Sequence, residues 1–208
     1  MKKTKRSKKS RSWVIKQHRD QFYKKSKTLG YRSRSAFKLL EINRKYKFIK
    51  NNSILLDIGS SPGGWSQVAS EIIKEGKIIS IDIKDMNKLD KVTFIKCDFL
   101  ENEAKTKILD ESGGKLDVVI SDMAANTTGN KNLDCIRTNL LCAEVINFSF
   151  NMLKNKGILV AKIFMGEDFL EVKALAKKKF KKVEFFKPES SRNESKETYI
   201  HCSLLNTL

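Results

Sequence analysis

From residue 53 onward the apolar positions alternate between two rhythms. Short, nearly continuous apolar runs end in acids or turn residues. Stretches with apolar positions three and four apart follow most of them. "SILLDIG" (53–59) leads to "GWSQVASEII" (64–73), and "KIISIDI" (77–83) leads to a polar loop. "VTFIKCDFL" (92–100) precedes a helical stretch at 103–111. "LDVVISDMA" (116–124) precedes a Gly/Asn-rich loop and then "CIRTNLLCAEVINFSFNML" (135–153). "GILVAKIF" (157–164) precedes "DFLEVKALAKKKF" (168–180). "KKVEFFKP" (181–188) is separated from "TYIHCSLL" (198–205) by the polar "ESSRNESKE". Strands alternating with helices predict an α/β fold with a doubly wound, mostly parallel sheet of seven strands. The last connection is too short for a crossover helix, so the last strand should run antiparallel.

Upstream, "RSRSAFKLLEINRKYKFI" (32–49) reads as a helix with Ser35 as its N-cap and Phe37, Leu40 and Ile42 near helical spacing. A short basic helix is expected from about Trp13 to Gly30, preceded by a charged, low-complexity arm at 1–12 that should be disordered. The chain of 208 residues thus divides into an N-terminal extension, 1–30, and one domain, 31–208.

Charge sharpens that division. The net charge is +18, yet residues 1–50 hold nineteen of the 42 lysines and arginines against two acids, Asp20 and Glu41. The rest of the chain is nearly neutral. A basic block on a neutral domain suits a polyanion, most simply nucleic acid, and Trp13, Phe22, Tyr23, Tyr31 and Phe37 are interleaved with it. A solubilising lysine-rich tail is the plainer alternative. No run reaches the length of a membrane span. The basic N-terminus lacks the apolar segment of a secretory signal. Cys97, Cys135, Cys142 and Cys202 show no metal-ligand spacing and read as reduced thiols of a cytoplasmic protein. His201 falls in an apolar strand pattern and reads as packing. No long apolar stripe suggests self-association, so a monomer is expected.

The turn "GSSPGGW" (59–65) carries the first chemistry. A nicotinamide-binding turn needs G-x-G-x-x-G so that backbone amides meet a pyrophosphate. Here the spacing differs and Pro62 removes a donor. S-adenosylmethionine, which has no pyrophosphate, suits such a turn. Gly59, Gly63 and Gly64 would admit its close approach. Asp82, ending the second strand, is placed to bind ribose hydroxyls, and Asp98, ending the third, to reach the adenine. With Asp57 these make three acid-ended strands in series. A lysine inside an apolar strand, Lys162, is costly to bury unless paired, and Asp122 at the end of the fourth strand is its natural partner. A structural ion pair, or a lysine reaching out to solvent, is the alternative.

"RSRSAFKLLEI", "LLDIGSSPGGWSQVA", "SDMAANTTG", "GILVAKIF" and "KPESSRNESKETYI", in that order, resemble the FtsJ-like ribosomal RNA methyltransferases. These are the large-subunit enzymes that methylate a uridine 2′-hydroxyl in 23S rRNA. Ser60 and Ser61 stand where that family often has alanine. The resemblance implies a Rossmann-like class I fold dependent on S-adenosylmethionine, with no metal required. It implies a Lys-Asp-Lys-Glu catalytic tetrad at Lys38, Asp122, Lys162 and Glu197, and cofactor contacts at Gly63, Trp65, Asp82, Asp98 and Asp122. Arg32, Arg34, Lys38 and Arg192 are the expected RNA contacts, with ribosomal RNA and the large subunit as partners. A 2′-O-methyltransferase for another RNA (tRNA, organellar rRNA or an mRNA cap) and a non-catalytic RNA-binding assembly factor remain alternatives at this point.

Overall fold

A computed structural model of the chain describes residues 20–206. The arm at 1–12 and the start of the Trp13–Gly30 helix lie outside the described residues. The elements are α1 (Gln21–Thr28), α2 (Ala36–Tyr46), β1 (Ile54–Ile58), α3 (Gly64–Ile72), β2 (Lys77–Asp82), β3 (Val92–Lys96) and α4 (Asn102–Ser112), followed by β4 (Leu116–Ser121), α5 (Lys131–Met152), β5 (Leu153–Phe164), α6 (Phe169–Lys179), β6 (Phe180–Phe186) and β7 (Glu197–Leu205). The seven strands form one sheet in the order β3-β2-β1-β4-β5-β7-β6. The β3-β2-β1-β4-β5 pairs are parallel, and β7 runs antiparallel to both of its neighbours. The antiparallel last strand is therefore as the short connection predicts. The order reverses between β1 and β4, which opens a crevice at the carboxyl ends of these strands.

The pleat sorts the strand residues between two cores. Leu56, Ile58, Val119, Leu159 and Ala161 pack under α4, α5 and α6. Leu55, Val118, Ile120 and Val160 pack under α2 and α3, against Ala36, Leu39, Ile42, Trp65 and Val68. With both faces covered, the central strands read as unbroken apolar runs rather than alternating ones.

Several boundaries shift for identifiable reasons. β3 ends at Lys96 and β4 at Ser121, so Asp98 lies two residues past its strand and Asp122 one. α5 begins four residues earlier than its apolar pattern, because the Asn130 side chain caps it by accepting from the Asn132 and Leu133 amides. β5 extends back to Leu153, with a register irregularity opposite Leu116 and Val118. Ser35 sits at the N-terminal boundary of α2 but makes no side-chain cap; its hydroxyl pairs with that of Ser33 at 2.7 Å. The capping acid is Asp20, which accepts from Phe22 and Tyr23 at the start of α1. All four cysteines are free.

His201 is packing, as expected: its ring stacks on Tyr46 with centroids 4.1 Å apart and planes 9° from parallel. Both ring nitrogens are buried without a hydrogen-bond partner. Burial lowers the His201 pKa, and Glu184 only partly opposes this. The unfolded chain therefore takes up this proton first, at about pH 6.5, and stability falls as the pH drops through that value. Urea midpoints measured between pH 7.5 and 5.5 should fall more steeply for the native protein than for His201→Phe, which keeps the stacking.

Candidate active site

Strand parity explains why four distant residues meet. In β5, Lys162 falls on the same face as Ile158 and Val160, the face covered by α2. Ser121 pairs with Ala161, so Asp122, the next residue of β4, comes alongside Lys162. Lys162 pairs with Tyr199 of β7, and Glu197, two residues earlier, shares Tyr199's face at the same end of the sheet. Lys38 projects from the first turns of α2 and is only 8% exposed. The structure thus brings all four expected catalytic residues together. Lys162 Nζ lies 2.7 Å from Asp122 Oδ1 and 3.5 Å from Glu197 Oε2. Lys38 Nζ lies 2.8 Å from Glu197 Oε2 and 3.7 Å from Asp122 Oδ1.

Two lysines and two carboxylates balance in a buried space, where an unpaired charge would be prohibitive. Burial alone would push Lys162 down, but Asp122 and Glu197 outweigh it and hold its pKa above the ordinary lysine value. Lys38 goes the other way: burial and the neighbouring Lys162 lower it despite the two acids. Burial works against the Glu197 anion, yet Lys38 and Lys162 draw its pKa down to about 2. Lys162 also donates to the Asp122 carbonyl at 2.8 Å, which fixes the direction of its head group.

Two further side chains complete the cluster. The Tyr199 hydroxyl donates to Asp122 Oδ1 at 2.5 Å, and Ser191 Oγ donates to Glu197 Oε1 at 2.7 Å. Burial, then Asp122, push the Tyr199 hydroxyl well above its ordinary pKa, so it remains a donor. Sequence reasoning missed both. The period-two spacing of Glu197 and Tyr199 was the available signal for the second.

A cleft of about 520 Å³ opens beside the cluster, lined by Gly59, Asp82, Ile83, Asp98, Asp122 and Arg137 among others. A pocket of about 120 Å³ adjoins it under the Gly-Pro turn, with Asp57, Ser60, Gly64, Trp65 and Asp122 in its wall. Gly59 has φ +72°, and a Cβ there would stand 1.9 Å from Met123 Cγ, so a side chain would be strained and would have to displace Met123. Gly63 borders neither pocket; a Cβ would meet Arg32 and Met86. Trp65 is almost fully buried in the core, with its indole N–H donating to the Ser35 carbonyl at 2.8 Å. Asp82 accepts from the Ser61 and Lys84 amides and so ties the turn to β2. Asp57 lies inside β1 rather than at its end; it accepts from Ser66 at 2.6 Å, and burial pushes its pKa up to about 7.

The expected RNA contacts divide. Arg32 commits its guanidinium to the carbonyls of Pro62, Asn87 and Lys88, at 3.2, 2.6 and 2.6 Å. It clamps the turn to the β2–β3 loop. Arg34 pairs with Asp20 and donates to the Ser190 carbonyl. Arg34, Lys38, Arg192, Ser195 and Glu197 bound a third pocket of about 220 Å³, on the other side of the four-residue cluster.

Glu197→Gln should cost about 3 kcal/mol at neutral pH, because it leaves buried lysine charge under-compensated. The Glu197 pKa is depressed on folding, so its contribution is lost as the pH falls from about 4.5 toward about 2. Urea titrations should show the gap between the two proteins closing across that window.

Against this geometry the comparisons are specific. The family model described as FtsJ-like methyltransferase matches residues 31–204. A Pelagibacter ubique protein named ribosomal RNA large subunit methyltransferase E is 48% identical over 196 residues, covering 94% of this chain and 97% of that protein. A protein of the same name from Rickettsia akari is 44% identical over 202 residues, covering 94% and 89%. A Plasmodium falciparum crystal structure described as a ribosomal RNA methyltransferase superposes with a TM-score of 0.72 at 32% identity, covering 84% of this chain and 98% of that one. Human methyltransferase-like protein 13, at 16% identity and a TM-score of 0.58 over 81% of this chain and 79% of that one, shares the fold. The match covers the sheet, both helical layers and every member of the buried charge cluster, and by it this chain belongs to the FtsJ-like methyltransferase family.

Proposed function

We propose that the protein transfers a methyl group from S-adenosylmethionine to the 2′-hydroxyl of a uridine ribose in 23S ribosomal RNA, acting on the large ribosomal subunit. The observation that carries this reading is the balanced Lys38–Asp122–Lys162–Glu197 cluster set between two pockets. Relatives named for ribosomal RNA large subunit methylation, 48% and 44% identical along nearly the whole chain, supply the substrate.

The residues of the larger cleft fit the cofactor. Gly59 admits close approach, and Asp82 and Asp98 offer carboxylates for ribose and adenine. The small pocket, with Asp122 and the unpartnered Ser60 hydroxyl in its wall, suits the ammonium of the amino-acid tail. Bound there, S-adenosylmethionine supplies an electrophilic methyl on a sulfonium. Asp122 belongs both to the cleft and to the charge cluster, so it sets the distance between them.

The remaining task is one proton. Lys162 stands at the junction with its ammonium stabilised by Asp122 and Glu197. In that state its ammonium donates to the hydroxyl oxygen and holds it in line. Positive charge brought into the cleft acts on Lys162 in the same direction as Lys38 does: Nζ gives up its own proton to solvent, and the neutral amine then takes the 2′-hydroxyl proton as the oxygen attacks the methyl. Lys38 and Glu197 tune that balance, and Tyr199 and Ser191 orient the two acids.

Residues 1–30 form the RNA-binding extension of this reading, and 31–208 the methyltransferase domain. The family match beginning at residue 31 supports the division. We place the enzyme in the cytoplasm, where its four free cysteines would stay reduced, and we propose that it acts as a monomer. Among the described residues no helix is long and apolar enough to cross a membrane.

Labelled methyl transfer to large subunits, with the modified nucleotide mapped, tests the reaction. Label should appear on a ribose 2′-oxygen of 23S rRNA, and Lys162→Ala should lose at least about 100-fold in rate while still binding the cofactor. Label on a base, or an active Lys162→Ala, would sink the assignment. Deleting residues 1–12 should weaken RNA binding and flatten its salt dependence; an unchanged slope would make the arm a passive tail.

A further inference from the structure

One wall of the larger cleft has no regular structure of its own. Residues 123–130 follow Asp122 directly and join β4 to α5. Met123, Ala124, Ala125 and Asn126 of this stretch line the cleft. No main-chain hydrogen bond ties 123–129 to another main-chain group among the described residues. The path of this wall is therefore set by side chains.

Those side chains come from the first turns of α5. Thr128 donates through both its amide and its hydroxyl to Asp134 Oδ1, each at 2.8 Å. The Asn130 amide donates in turn to Thr128 Oγ1 at 3.2 Å. Arg137 donates to the Asn126 carbonyl at 3.3 Å, and Thr138 Oγ1 accepts from the Ala125 amide at 3.2 Å. Positions 134, 137 and 138 are three and four residues apart, so they share one face of the helix. That face grips the loop at 125, 126 and 128.

The three grips are unequal. The Arg137 bond is long, and its side chain is exposed. Thr138 is buried, but its contact is between neutral groups. Asp134 alone offers an ionised acceptor, the stronger kind, and it takes two donors. The Thr128 amide, then the Thr128 hydroxyl, hold its pKa below the ordinary aspartate value, so the charge is present at neutral pH. A segment held by so few bonds opens at low cost when the strongest is removed. A ligand that needs the wall binds only the closed fraction, and its apparent affinity falls by that fraction. Once bound, it restores the wall.

We propose that Asp134 is a positioning residue for methyl transfer: by holding Thr128 it keeps residues 123–130 closed as the wall of the cofactor cleft beside Asp122. The proposal rests on the S-adenosylmethionine reading of that cleft. Binding of S-adenosylhomocysteine, methyl-transfer kinetics and amide hydrogen exchange over 123–130 test it together. In Asp134→Ala, S-adenosylhomocysteine affinity should fall about tenfold, as for loss of a charged hydrogen bond, and KM for S-adenosylmethionine should rise to match. At saturating cofactor kcat should stay within about twofold of native, because the bound state has the wall in place. Exchange over 123–130 should quicken in the free variant and return to the native rate with S-adenosylhomocysteine bound. Asp134→Asn, which keeps an acceptor oxygen, should recover part of the affinity. Thr128→Val added to Asp134→Ala should weaken binding no further, since both remove the same contact. Glu171→Ala removes the first-turn acid of α6 and should leave affinity and exchange over 123–130 as in the native protein, which separates the loop contact from a general effect of charge at a helix start. Native affinity in Asp134→Ala, or a loss confined to kcat, would overturn the proposal. Failure of the cofactor reading would appear separately, as a native protein that binds no S-adenosylhomocysteine.

Discussion

Two lysines and two carboxylates buried in one space constrain almost everything else in this molecule. Neither lysine is affordable alone in that environment, and neither acid is. The cluster therefore requires β4, β5, β7 and α2 in fixed register, because each contributes one member. The apolar layers beneath α2 and α3 exclude water from the cluster and hold the register. The contacts that hold the register at this point are thus also the ones that keep Lys162 charged.

The same cluster is the shared wall of two binding spaces. Asp122 reaches the larger cleft, and Lys38 and Glu197 reach the pocket on the far side. The segment that precedes the domain stitches the two together. Arg32 grips the Gly-Pro turn and the β2–β3 loop, while Arg34, two residues later, grips Asp20 and Ser190. Alternate residues of one short basic stretch therefore support opposite sides of the site. Gln67 binds this stretch to α3 through the Arg32 amide and the Gly30 carbonyl.

Much of this was legible in the sequence, and the reasons differ by residue. The strands stood out because the sheet is covered on both faces, which gives continuous apolar runs. Lys162 stood out because it breaks such a run, and Asp122 because it ends one. Arg32 has a second aspect the sequence hides: a basic residue in a basic segment resembles an RNA contact, and only three-dimensional proximity reveals three carbonyls around it. Asp57 misled for the opposite reason, since an acid near a strand end looks available, whereas it lies within β1 and is bound by Ser66. Trp65 and Gly63 serve packing around the turn rather than forming the larger cleft's surface. Ser191 depends on the path of an irregular loop, which leaves no periodic trace. Helix and strand ends moved where a cap or an irregular ladder decided them, as at Asn130 and Leu153.

The placement of β7 has a consequence for how the molecule is made. It lies between β5 and β6, yet it follows both in the chain. Until residues 197–205 are synthesised, β6 has no neighbour to hold it on the sheet, and Lys162 lacks one of its two acids. A growing chain can assemble the parallel half early, but closing the sheet and balancing the charges happen in one event, when this strand inserts. Translation that stops short of it would leave a polypeptide with the larger cleft's walls in place and the charge cluster short of Glu197. The sheet and its buried charges thus wait on the same short segment, residues 197–205.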